Sequence, residues 1–270
     1  MSLEVSGLSF SYGNRRVLRD LSFGVPDGSL ACVLGPNGVG KTTLFRCMLG
    51  IRGYEGTVLA NGHDVRELSV RERARQMAYI PQAHVNVFDY EVVDMVLMAC
   101  GTDLGMLRTP TRRHEDRAMA ALERVGIADL AHRSVNRLSG GQLQLVLFAR
   151  AIAQDARAMI LDEPTSALDF ANADKVLSLA QSLAREGRSV IVSTHRPEQA
   201  YLYSDLVIAM GEGGVVGVGS PQEVVTSERM SSLYGMGVTV SSLFGDAARA
   251  CVPSERLGAE AVREQRTTMR

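Results

Sequence analysis

The chain has 270 residues, 46% of them apolar, which is enough to build a sizeable core in one large domain or two small ones. A net charge of −1 supplies no general field for nucleic acid, and the four cysteines, Cys32, Cys47, Cys100 and Cys251, form no C-x-x-C pair, which argues against a zinc site or disulfide framework. No uncharged apolar stretch approaches the ~20 residues that span a bilayer, and the N-terminus lacks a signal-peptide pattern, so any link to a membrane is expected to run through a partner.

Residues 3–12 alternate apolar and small polar side chains and read as a strand. A turn centred on Asn14 leads into a second strand over 17–25, giving an antiparallel pair. Ser29-Leu30-Ala31-Cys32-Val33-Leu34 reads as a buried strand running into Gly35-Pro36-Asn37-Gly38-Val39-Gly40-Lys41-Thr42-Thr43, and residues 42–49 read as the helix behind it. This loop fits G-x-x-x-x-G-K-[ST] in the strand, loop, helix order that the motif requires. Glycines let backbone N–H groups approach phosphate oxygens, and the helix N-terminus adds about half a positive charge. Positive charge elsewhere is almost wholly arginine, with lysine only at Lys41 and Lys175, so Lys41 stands out.

A strand over 77–80 ends at Pro81-Gln82. Between Gln82 and Leu138 the periodicity turns helical, with Val92, Val93, Val96 and Leu97, then Ala118, Leu122 and Val125, separated by an Arg-Thr-Pro-Thr-Arg-Arg break. Leu138-Ser139-Gly140-Gly141-Gln142 follows, about a hundred residues after the phosphate loop. Strand and helix then alternate: strand 158–161 ending in Asp162-Glu163-Pro164, helix 171–185, strand 189–193 leading to Thr194-His195, helix 197–203 and strand 206–210. The alternation predicts a parallel α/β core. Gly211-Glu212-Gly213-Gly214 predicts a hairpin into residues 215–218. From Ser241 onward the chain is polar without steady periodicity, and a loosely ordered tail or a short docking helix is expected. His63, His84, His114 and His132 are scattered without ligand spacing, which argues against a metal site built on them.

The phosphate loop, the LSGGQ segment and Asp162-Glu163, in this order, resemble the ATP-binding cassette (ABC) ATPases over roughly residues 3–240. The resemblance implies an α/β P-loop NTPase core with a mostly parallel sheet, an N-terminal antiparallel β subdomain and a small α-helical subdomain. The expected domain covers 2–240, with the helical part inserted at about 86–150 and a C-terminal tail over 241–270. ATP and Mg2+ are the implied cofactors, and ATP hydrolysis coupled to transport is the implied activity.

Residue by residue, the resemblance implies that Gly35, Pro36, Asn37, Gly38, Val39 and Gly40 cradle the nucleotide. Lys41 then meets the β- and γ-phosphates, Thr42 the metal and Thr43 a phosphate oxygen. Asp162 becomes the water-mediated Mg2+ partner and Glu163 the general base. Gln82 matches the glutamine that contacts metal and attacking water, His195 the histidine that hydrogen-bonds the γ-phosphate, and Tyr12 the aromatic residue that stacks on adenine. Ser139, Gly140, Gly141 and Gln142 are expected to face the γ-phosphate held by a second subunit. Asp169, in Ser166-Ala167-Leu168-Asp169, is expected to address that second site, or to cap the helix beginning at Phe170, or both. Two departures stand out: Leu143 or Leu145 where many relatives carry a basic residue, and Arg196 where Asp is common.

The helical region resembles the ATPases of type II bacterial importers, whose cargoes are ferric siderophores, haem, cobalamin or molybdate. Ferric siderophores are favoured because that branch is the most numerous. The implied assembly is a homodimer of ATPase subunits with transmembrane permease subunits docking at 83–89 and 97–108. A periplasmic or lipid-anchored substrate-binding protein completes it, no nucleic acid takes part, and the ATPase is peripheral to the cytoplasmic face of the inner membrane. An exporter-type ATPase and a non-transport cassette remain alternatives. The interval of about fifty-five residues between Gln82 and Leu138 disfavours the latter, whose DNA-handling members carry long insertions.

Overall fold

The structure, a computed structural model, describes residues 3–82, 89–103, 109–212 and 214–257. Strands β1 (Leu3–Tyr12) and β2 (Arg15–Val25) pair antiparallel and lead to β3 (Leu30–Leu34), all five of whose residues are buried, and to helix α1 (Lys41–Met48). Next come β4 (Glu55–Ala60), β5 (His63–Asp64), α2 (Val70–Gln76) and β6 (Met77–Ile80). The helical segment contains α3 (Val92–Leu97), α4 (Arg112–Val125) and α5 (Gly140–Gln154). The chain then alternates through β7 (Ala158–Leu161), α6 (Phe170–Arg185), β8 (Ser189–Thr194), α7 (Pro197–Tyr203) and β9 (Leu206–Gly211). It closes with β10 (Gly214–Gly219), α8 (Pro221–Val224), α9 (Ser227–Tyr234), β11 (Val238–Leu243) and β12 (Ala248–Pro253).

The main sheet has the order β10-β9-β3-β8-β7-β6, with β10 antiparallel at one edge and the other five strands parallel. A separate antiparallel sheet runs β2-β1-β4-β5. This is the α/β P-loop architecture. Because β3, β8, β7 and β6 all point the same way, the segments that follow them emerge at one edge of the sheet, where open α/β sheets place ligands. Strand β8 lies between β3 and β7, so the loop after β8 sits between the phosphate loop and the Asp162-Glu163 corner.

Both faces of the parallel strands are covered, which explains their unbroken apolar runs. Met159, Leu161, Val190 and Val192 pack into a cluster with Val92, Leu122, Val146 and Phe148 of the helical segment. The alternate residues Ala158, Ile160 and Ile191 point the other way, into a cluster with Leu44, Phe45, Leu8 and Leu21. Leu145 is buried in the helical cluster and Leu143 is half-buried, so an apolar side chain at position 145 serves core burial. Burial also pushes the Cys32 and Cys47 thiols up to about 12 and about 11, which keeps both protonated and inert.

The expectation of a loose tail or docking helix from Ser241 is corrected. Val238–Leu243 and Ala248–Pro253 form an antiparallel hairpin, closed by a turn in which Phe244, Gly245 and Asp246 all have positive φ. Its inward residues Val238 and Val240 pack with Ala200, Tyr201 and Leu233, and Arg249 bridges to Asp246 at 2.8 and 2.9 Å. Only one face of the hairpin is apolar, so its signal in the sequence is short and easily read as polar tail. Residues 258–270, like the expected docking residues 83–88 and 104–108, lie outside the described residues. Among the described residues no helix is long and apolar enough to cross a membrane.

Two phenylalanines give a contrast that tests this packing. Phe148 is fully buried, so Phe148→Ala is expected to lower the unfolding free energy by about 3–5 kcal/mol. Phe170 is 92% exposed, so Phe170→Ala is expected to change it by under about 0.5 kcal/mol. Urea titration of both variants checks the pair.

Candidate functional site

The phosphate loop joins β3 to α1 through Gly40, which caps the helix with φ 111° and offers no side chain to its first-turn N–H groups. Those donors are left for an anion. Gly35 passes so close to the Met210 carbonyl oxygen that a Cβ would overlap it. Lys41 is buried, and its ammonium donates to the carbonyls of Gly35 and Pro36 at 2.8 and 3.0 Å while pairing with Glu163 Oε1 at 3.1 Å. Three acceptors match the three donors of a lysine, which is how a buried ammonium is tolerated.

Glu163 is held in an uncommon backbone conformation, with φ 44°, at a cost of about 1–3 kcal/mol. One hydroxyl anchors this corner. Ser193 Oγ accepts from the Glu163 N–H at 2.8 Å and donates to Asp162 Oδ1 at 2.9 Å. Tyr79 OH donates to Asp162 Oδ2 at 3.2 Å, so the buried carboxylate has a partner on each oxygen. Burial and the adjacent Asp162 charge push the Tyr79 phenol up, keeping it a donor. His195 Nδ1 lies 3.7 Å from Glu163 Oε2, beyond hydrogen-bond reach, and this buried atom has no hydrogen-bond partner among the described residues.

Pro36, Asn37, Gly38, Val39, Gly40, Lys41, Thr42 and Thr43 line an open cleft of about 1410 Å³ together with Tyr12 and Glu163. The Tyr12 ring is 44% exposed, meets Phe10 edge-on at 4.7 Å and has the Arg52 guanidinium 5.8 Å from its centre. It presents a flat face at the cleft mouth. Gln82, two residues beyond β6, is exposed and donates to Ser166 Oγ at 3.0 Å.

Ser139 caps α5 in a capping box: its hydroxyl accepts from the Gln142 N–H and its N–H donates to Gln142 Oε1 at 3.0 Å. Gly140 is exposed at the first turn, and Gly141 backs onto the Asn172 side chain. Asn172 in turn donates from both its N–H and its side-chain amide to Asp169, the cap of α6. Asp169 therefore caps its helix, one of its two expected uses. Ser139, Gly140, Gly141 and Gln142 are not among the described residues lining the phosphate-loop cleft.

Sequence reasoning missed the residues that hold this site in place. Ser193 is a hydroxyl inside the apolar run of β8, and a buried polar group at a strand end is the signal that could have found it. Gln199 Oε1 accepts from Thr165 Oγ1 and Thr194 Oγ1 at 3.1 and 2.9 Å, tying the segments after β7 and β8 together. Arg15, Arg16 and Arg19 line the cleft beside Tyr12, and residues 232–235 form another part of its wall. Arg196 is exposed, and its N–H donates to Thr194 Oγ1 at 3.1 Å.

A sequence model of the ABC transporter family matches residues 18–166. An iron chelatin transport ATP-binding protein of Helicobacter pylori is 38% identical over 237 residues, covering 87% of this chain and 93% of that protein. A hemin import ATP-binding protein of Deinococcus radiodurans is 38% identical over 250 residues, covering 89% and 92%. Among solved structures, a metal-chelate type ABC transporter in an inward-facing conformation is similar with a TM-score of 0.83 and 31% identity, over 96% of this chain and 99% of that one.

Ser193→Ala removes the bonds that orient both Asp162 and Glu163. It is expected to slow steady-state ATP hydrolysis about tenfold, with ATP affinity within about twofold of wild type, in parallel kinetic and equilibrium-binding assays. Gly35→Ala forces the loop off the Met210 carbonyl and is expected to weaken ATP binding at least about tenfold in the same binding assay.

Proposed function

The chain belongs to the ABC transporter family as a nucleotide-binding ATP hydrolase coupled to transport, and we propose that it energises import of a metal chelate, a ferric siderophore first among them, through a membrane permease. The observation that carries the cargo reading is the match to a metal-chelate type transporter structure over 96% of this chain. The relatives named for iron chelatin and hemin transport agree with it in chemical class.

In this reading the ATP triphosphate enters against the first turn of α1, and its γ-phosphate competes with the Glu163 carboxylate for the Lys41 ammonium. Tyr12 stacks on the adenine. Thr42, Asp162 and Gln82 offer hydroxyl, carboxylate and amide oxygens, hard donors of the kind Mg2+ takes, with phosphate and water completing its shell. Bound there, Mg2+ would neutralise charge on the phosphates. Glu163, released from Lys41 and fixed through Ser193, orients and deprotonates the attacking water, and His195 donates to the γ-phosphate.

The Ser139 to Gln142 turn is a helix N-terminus on a surface apart from the chain's own phosphate cleft. We therefore assign it to the γ-phosphate of a second copy, so that two ATP molecules close a homodimer and hydrolysis opens it. Closing and opening drive the permease, to which the chain attaches as a peripheral subunit at the cytoplasmic face, and a substrate-binding protein delivers the chelate.

Glu163→Gln is expected to bind ATP, hydrolyse it at least about a hundredfold more slowly, and sediment as a dimer with ATP. A variant that stays monomeric with saturating ATP contradicts the composite site. For the cargo, uptake of labelled ferric siderophore, haem, cobalamin and molybdate is compared in cells with and without the chain. Loss of ferric siderophore uptake alone is expected, and unchanged uptake of all four contradicts the importer reading.

A further inference from the structure

The segment after β8 carries His195 and then becomes α7, and the C-terminal part of the chain grips this segment repeatedly. Tyr234, the last residue of α9, donates its hydroxyl to the His195 carbonyl oxygen at 2.8 Å. One turn further on, Glu198 Oε1 accepts from the Cys251 N–H of β12 at 3.1 Å. Tyr201 OH then donates to the Asp246 carbonyl at 2.7 Å, and the Arg249 guanidinium lies 4.9 Å from the centre of the Tyr201 ring. Arg249 is itself fixed by Asp246 and by the carbonyls of Gln222 and Val225, each at 2.8 Å from Nη1. Ser232, Leu233, Tyr234 and Gly235 also line the phosphate-loop cleft. The same helix end therefore borders the phosphate-loop cleft and holds the backbone of the histidine.

We propose that Tyr234 is a positioning residue for hydrolysis: its hydrogen bond to the His195 carbonyl fixes the height of the imidazole over the γ-phosphate, and α9 with the C-terminal hairpin supplies the rigid support. This inference rests on the assignment of His195 to the γ-phosphate. The imidazole carries no hydrogen bond at Nδ1 among the described residues, so its position depends on the backbone to a degree that a fully bonded side chain would not. Burial, with the nearby Cys251 and Glu198, pushes the Tyr234 phenol up, so it stays protonated and a donor near neutral pH.

The test compares Tyr234→Phe, which keeps the ring and its packing and deletes one hydroxyl, with His195→Ala and wild type, using the full chain. Tyr234→Phe is expected to lower kcat for ATP hydrolysis about fivefold with KM for ATP within about twofold, the cost of one lost hydrogen bond expressed in turnover. An unchanged kcat, or a rise in KM matching the fall in kcat/KM, overturns the proposal. His195→Ala separates the two levels. If it loses turnover while Tyr234→Phe keeps it, the positioning role alone fails; if His195→Ala keeps turnover, the reading of the histidine fails and this inference with it. Arg249→Ala, which loosens the support without touching His195, is expected to move kcat in the same direction as Tyr234→Phe, and an unchanged kcat there removes the hairpin from the proposal.

Discussion

A single buried ammonium organises the phosphate-binding edge of this molecule. Lys41 leaves solvent at the first residue of α1, and desolvating its charge is tolerable only because two loop carbonyls and one carboxylate converge on it. Those acceptors come from different parts of the chain. Gly35 and Pro36 belong to the turn after β3, and Glu163 to the end of β7, two strands away across β8. The requirement that they meet fixes how the parallel strands end relative to one another. Glu163 reaches Lys41 from a left-handed backbone conformation, while at Gly35 the Met210 carbonyl of β9 leaves no room for a side chain.

Around this pair the sheet edge is tied by polar groups reaching from strand to strand. Tyr79 of β6 and Ser193 of β8 bind the two oxygens of Asp162, the residue after β7. Gln199 of α7 spans the segments after β7 and β8. The neutral bonds contribute about 1 kcal/mol net each and those to the Asp162 carboxylate about 1.5–3 kcal/mol, and because the groups are buried the loss of one leaves another unsatisfied. Such a network favours one arrangement of the carboxylates and the histidine, which is what hydrolysis needs.

The sequence made the parallel core legible because β3, β7 and β8 are apolar on both faces and end in short polar motifs. The phosphate loop was legible because strand, glycine-rich turn, lysine and helix follow one another in an order that presents helix N–H groups to an anion. Residues 55–76 illustrate the limit: no long apolar period marks an element there, although Ser69 and Glu72 carry the capping-box spacing that the structure uses to start α2. The hairpin at Val238–Pro253 was illegible for a different reason. It buries only one face against α7 and α9, so its apolar residues are sparse, and its stability comes from long-range bonds such as Arg249 to the carbonyls of Gln222 and Val225. Ser193 and Tyr234 act through partners 30 and 39 residues away, a relation that local pattern does not carry.

The most direct test of this account is a crystal structure of Glu163→Gln with Mg2+ and ATP. The account predicts a dimer of the chain in which Lys41 has left position 163 for the β- and γ-phosphate oxygens of its own nucleotide, while Ser139 and Gly141 of the second copy approach the same γ-phosphate. A nucleotide bound with Lys41 still on the position-163 side chain and off the phosphate oxygens, or with the second copy's Ser139 facing solvent, would contradict it.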